Sequence, residues 1–326
     1  MICLGIESTA HTFSAGIVDE HCNVLANEKC AFTTNEGGIK PADAADAHLE
    51  NAAGVISRAL EKGGIEICDV DLFSFAQGPG LGPCLRVGAT SARILSLLHN
   101  KPILGVNHCI AHIEIGKKKT GAKDPLVVYA SGANTQVIAY EGGRYRVFGE
   151  TLDMGIGNML DTFGRSLGLG FPAGPVLDKM YFEGGRELLE LPYSVKGMDL
   201  NFSGLLTAAE SKVGREQKER LAYSLLHTAF AMLTEVSERA MVHAGKKELL
   251  LTGGVGASKA LQEMLSEMCA GQGAKFYATP RDLAVDNGAM IAWQGLLEHA
   301  AGRRQRIADT HVNQRFRTDD VEVKWR

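Results

Sequence analysis

Apolar and polar positions alternate between two kinds of pattern along this chain. Ile2 to Ile6 is a short, nearly continuous apolar run. A polar turn, Glu7-Ser8-Thr9-Ala10-His11-Thr12, follows, and Phe13 to Val18 returns as a second run. Short apolar runs bounded by Gly, Ser and Thr predict strands joined as a hairpin. The same unit recurs further on. Leu126-Val127-Val128-Tyr129 predicts a strand, Ala130-Ser131-Gly132-Ala133-Asn134-Thr135 a turn, and Gln136 to Tyr140 the return, with Tyr145 to Phe148 as a third strand. Phe73 to Ala76 and Ile103 to Val106 are further short strands. Between them lie helical patterns over His48 to Glu61 and Val87 to His99. The clearest covers Glu216 to Ala244, where Leu221, Leu225, Leu226, Phe230, Leu233 and Val236 recur every three to five positions. This alternation predicts a mixed α/β fold, and the repeated hairpin predicts two lobes of related architecture.

Composition narrows the class. The 326 residues are 45% hydrophobic and 22% charged, ordinary for a globular protein with a sizeable core. No stretch approaches the roughly 18–20 apolar residues of a membrane span, and the N-terminus meets Glu7 without a basic region. Seven scattered cysteines form no CxxC pair, which points to free thiols in a reducing cytoplasm. The net charge of −4 argues against an autonomous nucleic-acid binder. Two basic patches stand out: Lys117-Lys118-Lys119, and the tail from Gly302 to Arg326, with seven basic residues against four acids. Read singly, each is a solvated face.

Several segments could carry chemistry. Leu249 to Lys259 runs from a predicted strand through Gly253-Gly254-Val255-Gly256 towards a helix over Ala260 to Met268. Glycines there let the backbone approach a ligand. Ser258 and Ala260 stand where a P-loop needs Gly and Ser/Thr, so it is not one. With the turns at Glu7–Thr12 and Ser131–Thr135 it resembles three sides of a nucleotide cleft. Gln77 to Pro83 is a further rigid loop of the kind that shapes an active-site wall.

His108 and His112 lie four apart, so on a helix both imidazoles reach one metal ion. No Glu follows the first His, which excludes a HExxH protease. Further ligands must come from elsewhere. Asp286 is a candidate, with a helix N-cap before Ala289 to Leu297 as its alternative role. Asp161 and Asp178 flank a Gly/Pro loop, where they either accept bonds from ribose hydroxyls or serve as surface caps.

Seven segments in series resemble one family: Gly5-Ile6-Glu7-Ser8-Thr9, Gly78-Pro79-Gly80-Leu81, Asn107-His108-Cys109-Ile110-Ala111-His112, Tyr129 to Gln136, Gly149-Glu150-Thr151-Leu152-Asp153, Phe202-Ser203-Gly204-Leu205 and Gly253-Gly254-Val255. By these the chain is similar to the universal tRNA threonylcarbamoyltransferases, in the archaeal and eukaryotic form that is the catalytic subunit of the KEOPS complex. The resemblance implies the two-lobed actin/Hsp70/sugar-kinase-like ATPase fold, an α/β architecture with duplicated RNase H-like domains. The N-terminal lobe is expected over residues 1–125 and the C-terminal lobe over 126–288, with 289–326 packing back on the first.

The resemblance also implies an activity. The family transfers a threonylcarbamoyl group from threonylcarbamoyl-AMP to the exocyclic amine of adenosine 37, beside the tRNA anticodon, releasing AMP. Its metal ligands map onto His108, His112, Tyr129 and Asp286, with His108, His112 and Asp286 as the catalytic set. Its adenylate contacts map onto Tyr129, Ala130, Ser131, Gly132, Ala133, Asp161, Gly174, Asp178 and Ser258, binding threonylcarbamoyl-AMP, ATP or AMP. One divalent metal per subunit is expected, Fe(2+) in preference to Zn(2+), because imidazole, carboxylate and phenolate ligands suit iron. Implied partners are tRNA and the KEOPS subunits: a small protein kinase/ATPase, a small dimerising subunit and a kinase-associated regulatory subunit. Two alternatives stand beside this reading, a small-molecule kinase or ATPase of the same fold and a nucleotide-regulated interaction module.

Overall fold

The computed structural model describes residues 1–33, 39–183 and 185–326. The chain divides into two compact units. The first holds Met1–Lys118, Gly142–Tyr145 and Val285–Arg326, and the second holds Lys119–Glu141 and Arg146–Ala284.

In the first unit, β1 (Ile2–Glu7) and β2 (Thr12–Asp19) form the predicted hairpin, and β3 (Val24–Ala31) continues it antiparallel. Next come α1 (Pro41–Gly63), β4 (Leu72–Gly78), α2 (Gly82–His99), β5 (Ile103–Asn107) and α3 (His108–Thr120). The strand order is β3-β2-β1-β4-β5, with β4 parallel to β1 and β5 parallel to β4. The first two helices start several residues before their apolar periodicity does. Each opens with a proline in its first turn, Pro41 and Pro83, where a missing N–H costs nothing. The polar mix of β3, Val-Leu-Ala-Asn-Glu-Lys-Cys-Ala, hides it from a periodicity reading.

The second unit contains β6 (Leu126–Ala130), β7 (Thr135–Glu141), β8 (Arg144–Glu150), α4 (Ile156–Ser166) and α5 (Gly174–Glu183). The short strands β9 (Val195–Lys196) and β10 (Asp199–Leu200) lead to α6 (Ser203–Glu210) and α7 (Lys218–His243). Then follow β11 (Glu248–Thr252), α8 (Lys259–Gly271), β12 (Lys275–Ala278) and α9 (Arg281–Ala284). Its five-stranded sheet runs β8-β7-β6-β11-β12, the order of the first sheet repeated. In both, an antiparallel hairpin is extended by two parallel strands. α7 buries the whole predicted stripe from Leu221 to Val236.

The chain returns to the first unit with α10 (Gly288–Ala300), which is buried on nearly every side. Strand alternation decides what it meets. Leu4 and Ile6 of β1 enter the core shared with Val55 and Ala59 of α1 and Ala89 and Ala92 of α2. Cys3 and Gly5 point the other way, onto α10. A Cβ placed on Gly5 would sit 2.2 Å from the backbone nitrogen of Ala292, and one on Gly16 would sit 2.1 Å from that of Ala289. No side chain fits, so helix and sheet touch backbone to backbone. Gly16→Ala is expected to cost at least about 1–3 kcal/mol through overpacking. Equilibrium denaturation measures this, and an unchanged midpoint would refute the close contact.

Candidate functional site

β1, β4 and β5 are parallel, so their carboxyl ends share one edge of the sheet, the edge where α/β proteins place ligands. Glu7 ends β1 there. β5 ends at Asn107, and α3 begins at once with His108. The helical turn puts His112 above His108, with ring centroids 4.7 Å apart at 84°. Asp286 enters from the loop before α10. Its alternative role as N-cap falls to its neighbour, because the Asn287 side chain accepts the Met290 N–H at 3.0 Å. Asp286 faces the imidazoles instead. Its Oδ1 lies 3.5 Å from His108 Nε2 and 3.3 Å from His112 Nε2. One ligand atom from each of the three residues lies within 4.8 Å of the others.

Glu7 is the functional residue that sequence reasoning passed over as part of a turn. It is fully buried. Its Oε1 accepts the Thr9 N–H at 2.6 Å and the Thr9 hydroxyl at 2.5 Å, and its Oε2 accepts from His108 Nδ1 at 2.8 Å. The available signal was an acid closing an otherwise apolar strand. Because Glu7 takes Nδ1, Nε2 is the nitrogen His108 offers to an ion. Two imidazoles and one carboxylate converging from one side fit a divalent transition metal.

Electrostatics agree with this wiring. Burial disfavours a charged His108, but the Glu7 and Asp286 carboxylates outweigh it and raise the ring to about 9. Burial lowers His112, which reduces its tendency to carry a proton. Burial pushes Asp286 upwards, and the two imidazoles overcome that, holding it well below the usual carboxylate range.

The remaining sequence candidates all fall in the second unit. Tyr129 is buried on β6, in a different compact unit from the other three expected ligands. Ala130 ends β6, and Ser131, Gly132 and Ala133 form the turn to β7. The Ser131 and Gly132 carbonyls accept the Gly157 and Asn158 N–H groups of α4 at 3.1 and 2.9 Å. Asp161, on α4, accepts the Ala173 N–H at 2.8 Å, just before Gly174 opens α5. Asp178, on α5, accepts the Ser258 hydroxyl, the Lys259 N–H at 3.0 Å and the Ala260 N–H at 3.3 Å. Ser258 in turn caps α8 through Leu261 N. Thus bonds run in series from the β6–β7 turn to α4, from α4 to the start of α5 and from α5 to the start of α8, and Asp178 has the bonding of a helix cap. β6 and β11 are adjacent parallel strands, so the Ala130 turn and the Gly253 turn lie side by side.

Comparison with known proteins shows the family and the fold. The family model described as tRNA N6-adenosine threonylcarbamoyltransferase (TsaD) matches residues 22–293. A Thermococcus kodakarensis protein named tRNA N6-adenosine threonylcarbamoyltransferase is 57% identical, with 100% of both chains covered. A Methanosarcina mazei protein named "Probable bifunctional tRNA threonylcarbamoyladenosine biosynthesis protein" is 53% identical, over 99% of this chain and 59% of that longer one. Among solved structures, component A of the Acidaminococcus fermentans (R)-2-hydroxyglutaryl-CoA dehydratase matches with a TM-score of 0.59 at 15% identity, covering 92% and 99%. A ROK family glucokinase from Streptomyces griseus matches at 0.51 and 12%, covering 90% and 98%. These two likenesses show the fold alone, which is the actin/Hsp70/sugar-kinase-like ATPase fold.

Below pH 9 the ion-free His108 holds a proton that a metal must displace. Affinity for a divalent ion should therefore rise from pH 6 towards pH 9 and level off above it. Calorimetry in buffers of differing ionisation enthalpy should show about one proton released at pH 7. Binding with no proton release would contradict the His108 assignment.

Proposed function

The chain belongs to the tRNA N6-adenosine threonylcarbamoyltransferase family, and on that premise we propose that it moves a threonylcarbamoyl group from threonylcarbamoyl-AMP to the exocyclic amine of an adenosine in tRNA. The amine nitrogen bonds to the carbamoyl carbon, the bond from that carbon to the phosphate oxygen breaks, and AMP leaves with the electron pair as the amine loses a proton. An adenine amine is a weak nucleophile because its lone pair is delocalised, so the donor must be activated. The convergence of His108, His112 and Asp286 carries this reading. They would hold a divalent ion, Fe(2+) in preference to Zn(2+), since two histidines and one carboxylate are the usual iron(II) face. When bound, the ion supplies Lewis acidity towards the carbamoyl oxygen. Glu7 keeps His108 in the tautomer that presents Nε2. Tyr129 to Ala133, Asp161, Gly174, Asp178 and Ser258 are read as the contacts to the adenylate.

Partners form part of the proposal. The tail's cations are largely committed to neighbouring acids: Arg306 to Asp309, Arg317 to Asp319 and Lys324 to Glu322. Lys117 is committed to Glu114. With these cations paired and a net charge of −4, phosphate contacts supplied by KEOPS-type subunits fit the chain. The bifunctional relative, much longer than this chain, supports a second activity working alongside. Exposed apolar residues support a docking face for such a subunit. Leu49 on α1 and Ile94, Leu97 and Leu98 on the neighbouring α2 are 51–73% exposed, an apolar face on two packed helices. We place the protein in the cytoplasm, where its seven free thiols stay reduced. No described helix is long and apolar enough to cross a membrane.

Incubation with threonylcarbamoyl-AMP, unmodified tRNA and the partner subunits, followed by nucleoside mass spectrometry, tests the reaction. Asp286→Ala should lower turnover by at least about a hundredfold and remove stoichiometric metal, as loss of an ion that stabilises developing charge requires. Full activity without metal would reject the assignment. The double change Leu97→Glu with Leu98→Glu should abolish co-purification of a subunit and leave metal content unchanged. Retained co-purification would mean that the α1–α2 face is not the contact.

A further inference from the structure

The C-terminal segment Arg303–Arg326 contains no long element, only the short turns Ile307–Asp309 and Thr318–Asp320. Even so, it is bonded along the edge strand β5 and then at the carboxyl ends of β4 and β5, beside the metal-binding candidates. Gln305 pairs opposite Ile103, and its Oε1 accepts the Gly105 N–H at 2.8 Å. Arg93 of α2 donates to the Thr310 hydroxyl at 2.8 Å. Gln77 Nε2 donates to the His311 carbonyl at 2.8 Å, and the Asn313 N–H returns a bond to the Gln77 carbonyl at 2.8 Å. The contact is tight: a Cβ on Gly78 would lie 1.8 Å from the Asn313 carbonyl oxygen.

Two routes lead from this segment to His108. The shorter passes through Asn107, the buried residue just before it. Asn107 Oδ1 accepts the Ile110 N–H at 3.1 Å and so caps the helix that begins with His108. Its Nδ2 donates to the carbonyls of Phe316 at 3.1 Å and Arg317 at 3.2 Å. One amide therefore ties the tail to the ligand helix. The longer route starts where Gly80 N–H donates to the Gln314 carbonyl at 3.3 Å. Leu81 N–H then donates to the Thr9 carbonyl at 2.7 Å. Thr9 holds Glu7, and Glu7 holds His108 Nδ1.

We propose that Arg303–Arg326 is a positioning strap for the metal centre and that Asn107 is the positioning residue through which it sets His108. The proposal rests on reading His108, His112 and Asp286 as metal ligands. Asn107 is outside the ligand cluster, and its amide is bonded to backbone groups of the strap and of α3. It fixes the start of α3 against a backbone that the strap holds in place, so His108 Nε2 meets the ion with little reorganisation. A tail that merely covers the sheet would add stability and leave metal affinity alone.

Titration of the full-length protein with Co2+, followed by visible absorption, separates these cases. Asn107→Asp keeps an oxygen to cap α3 and turns the donor facing two carbonyls into an acceptor. Gln77→Leu removes the bond to His311 and touches nothing on α3. Each variant, shown folded by circular dichroism, is expected to bind Co2+ roughly tenfold more weakly, in the range seen when outer-shell partners are lost, with displaced d–d bands. Wild-type affinity and spectrum in the folded variants would overturn the strap. If Asn107→Asp fails to fold, Gln77→Leu decides alone. Failure of the underlying reading looks different: the wild-type chain itself would then take up no stoichiometric Co2+, and the strap falls with it.

Discussion

The candidate centre depends on how closely α10 lies against the β1–β2 hairpin. Gly5 and Gly16 face each other across the hairpin, and both face the helix. With no side chain between, backbone meets backbone, and hydrogen bonds fix the contact. The Gly288 N–H donates to the Ser14 hydroxyl at 2.9 Å, and the Ser74 hydroxyl donates to the Ile291 carbonyl at 2.8 Å. The start of α10 therefore has one position available. Asp286 lies two residues earlier, at the edge where β1 and β5 end. A helix one side chain further out would carry the carboxylate beyond the few ångströms that a shared ion tolerates.

Charge then has to be balanced within a small buried volume. A carboxylate as deep as Glu7 is costly unless its oxygens are satisfied, and three donors satisfy them. His108 sits between two acids and is the group most easily protonated, while His112 is kept neutral by burial. The ion-free centre thus keeps one proton where a cation would otherwise sit.

The second unit repeats the strand order with different residues at its strand ends. Its hairpin turn and glycine turn present backbone groups, hydroxyls and helix starts. Among the described residues, a three-ligand cluster of histidine, cysteine or acid occurs only in the first unit. A duplicated scaffold has therefore diverged at the loops beyond the strand ends, where function can change without disturbing the cores.

The residues alone determined the hairpins, the long apolar stripe of α7 and the placing of His108 and His112 on one helical face. Each of these rests on a short-range period, and local periodicity survives whatever surrounds it. Polar β3 was not legible because its polar mix gives no alternation. α4 does carry apolar residues at helical spacing, Ile156, Met159, Leu160 and Phe163, but in a short stretch interrupted by glycines the period is easily passed over. The choice between cap and ligand for Asp286 could not be made locally either. It was decided by Asn287 taking the cap and by two glycines on distant strands letting α10 descend onto the sheet. The same holds for Glu7 and Asn107. Their types were visible, but their roles depend on bonds spanning 101 residues to His108 and 209 to Phe316, and only the folded chain sets those distances.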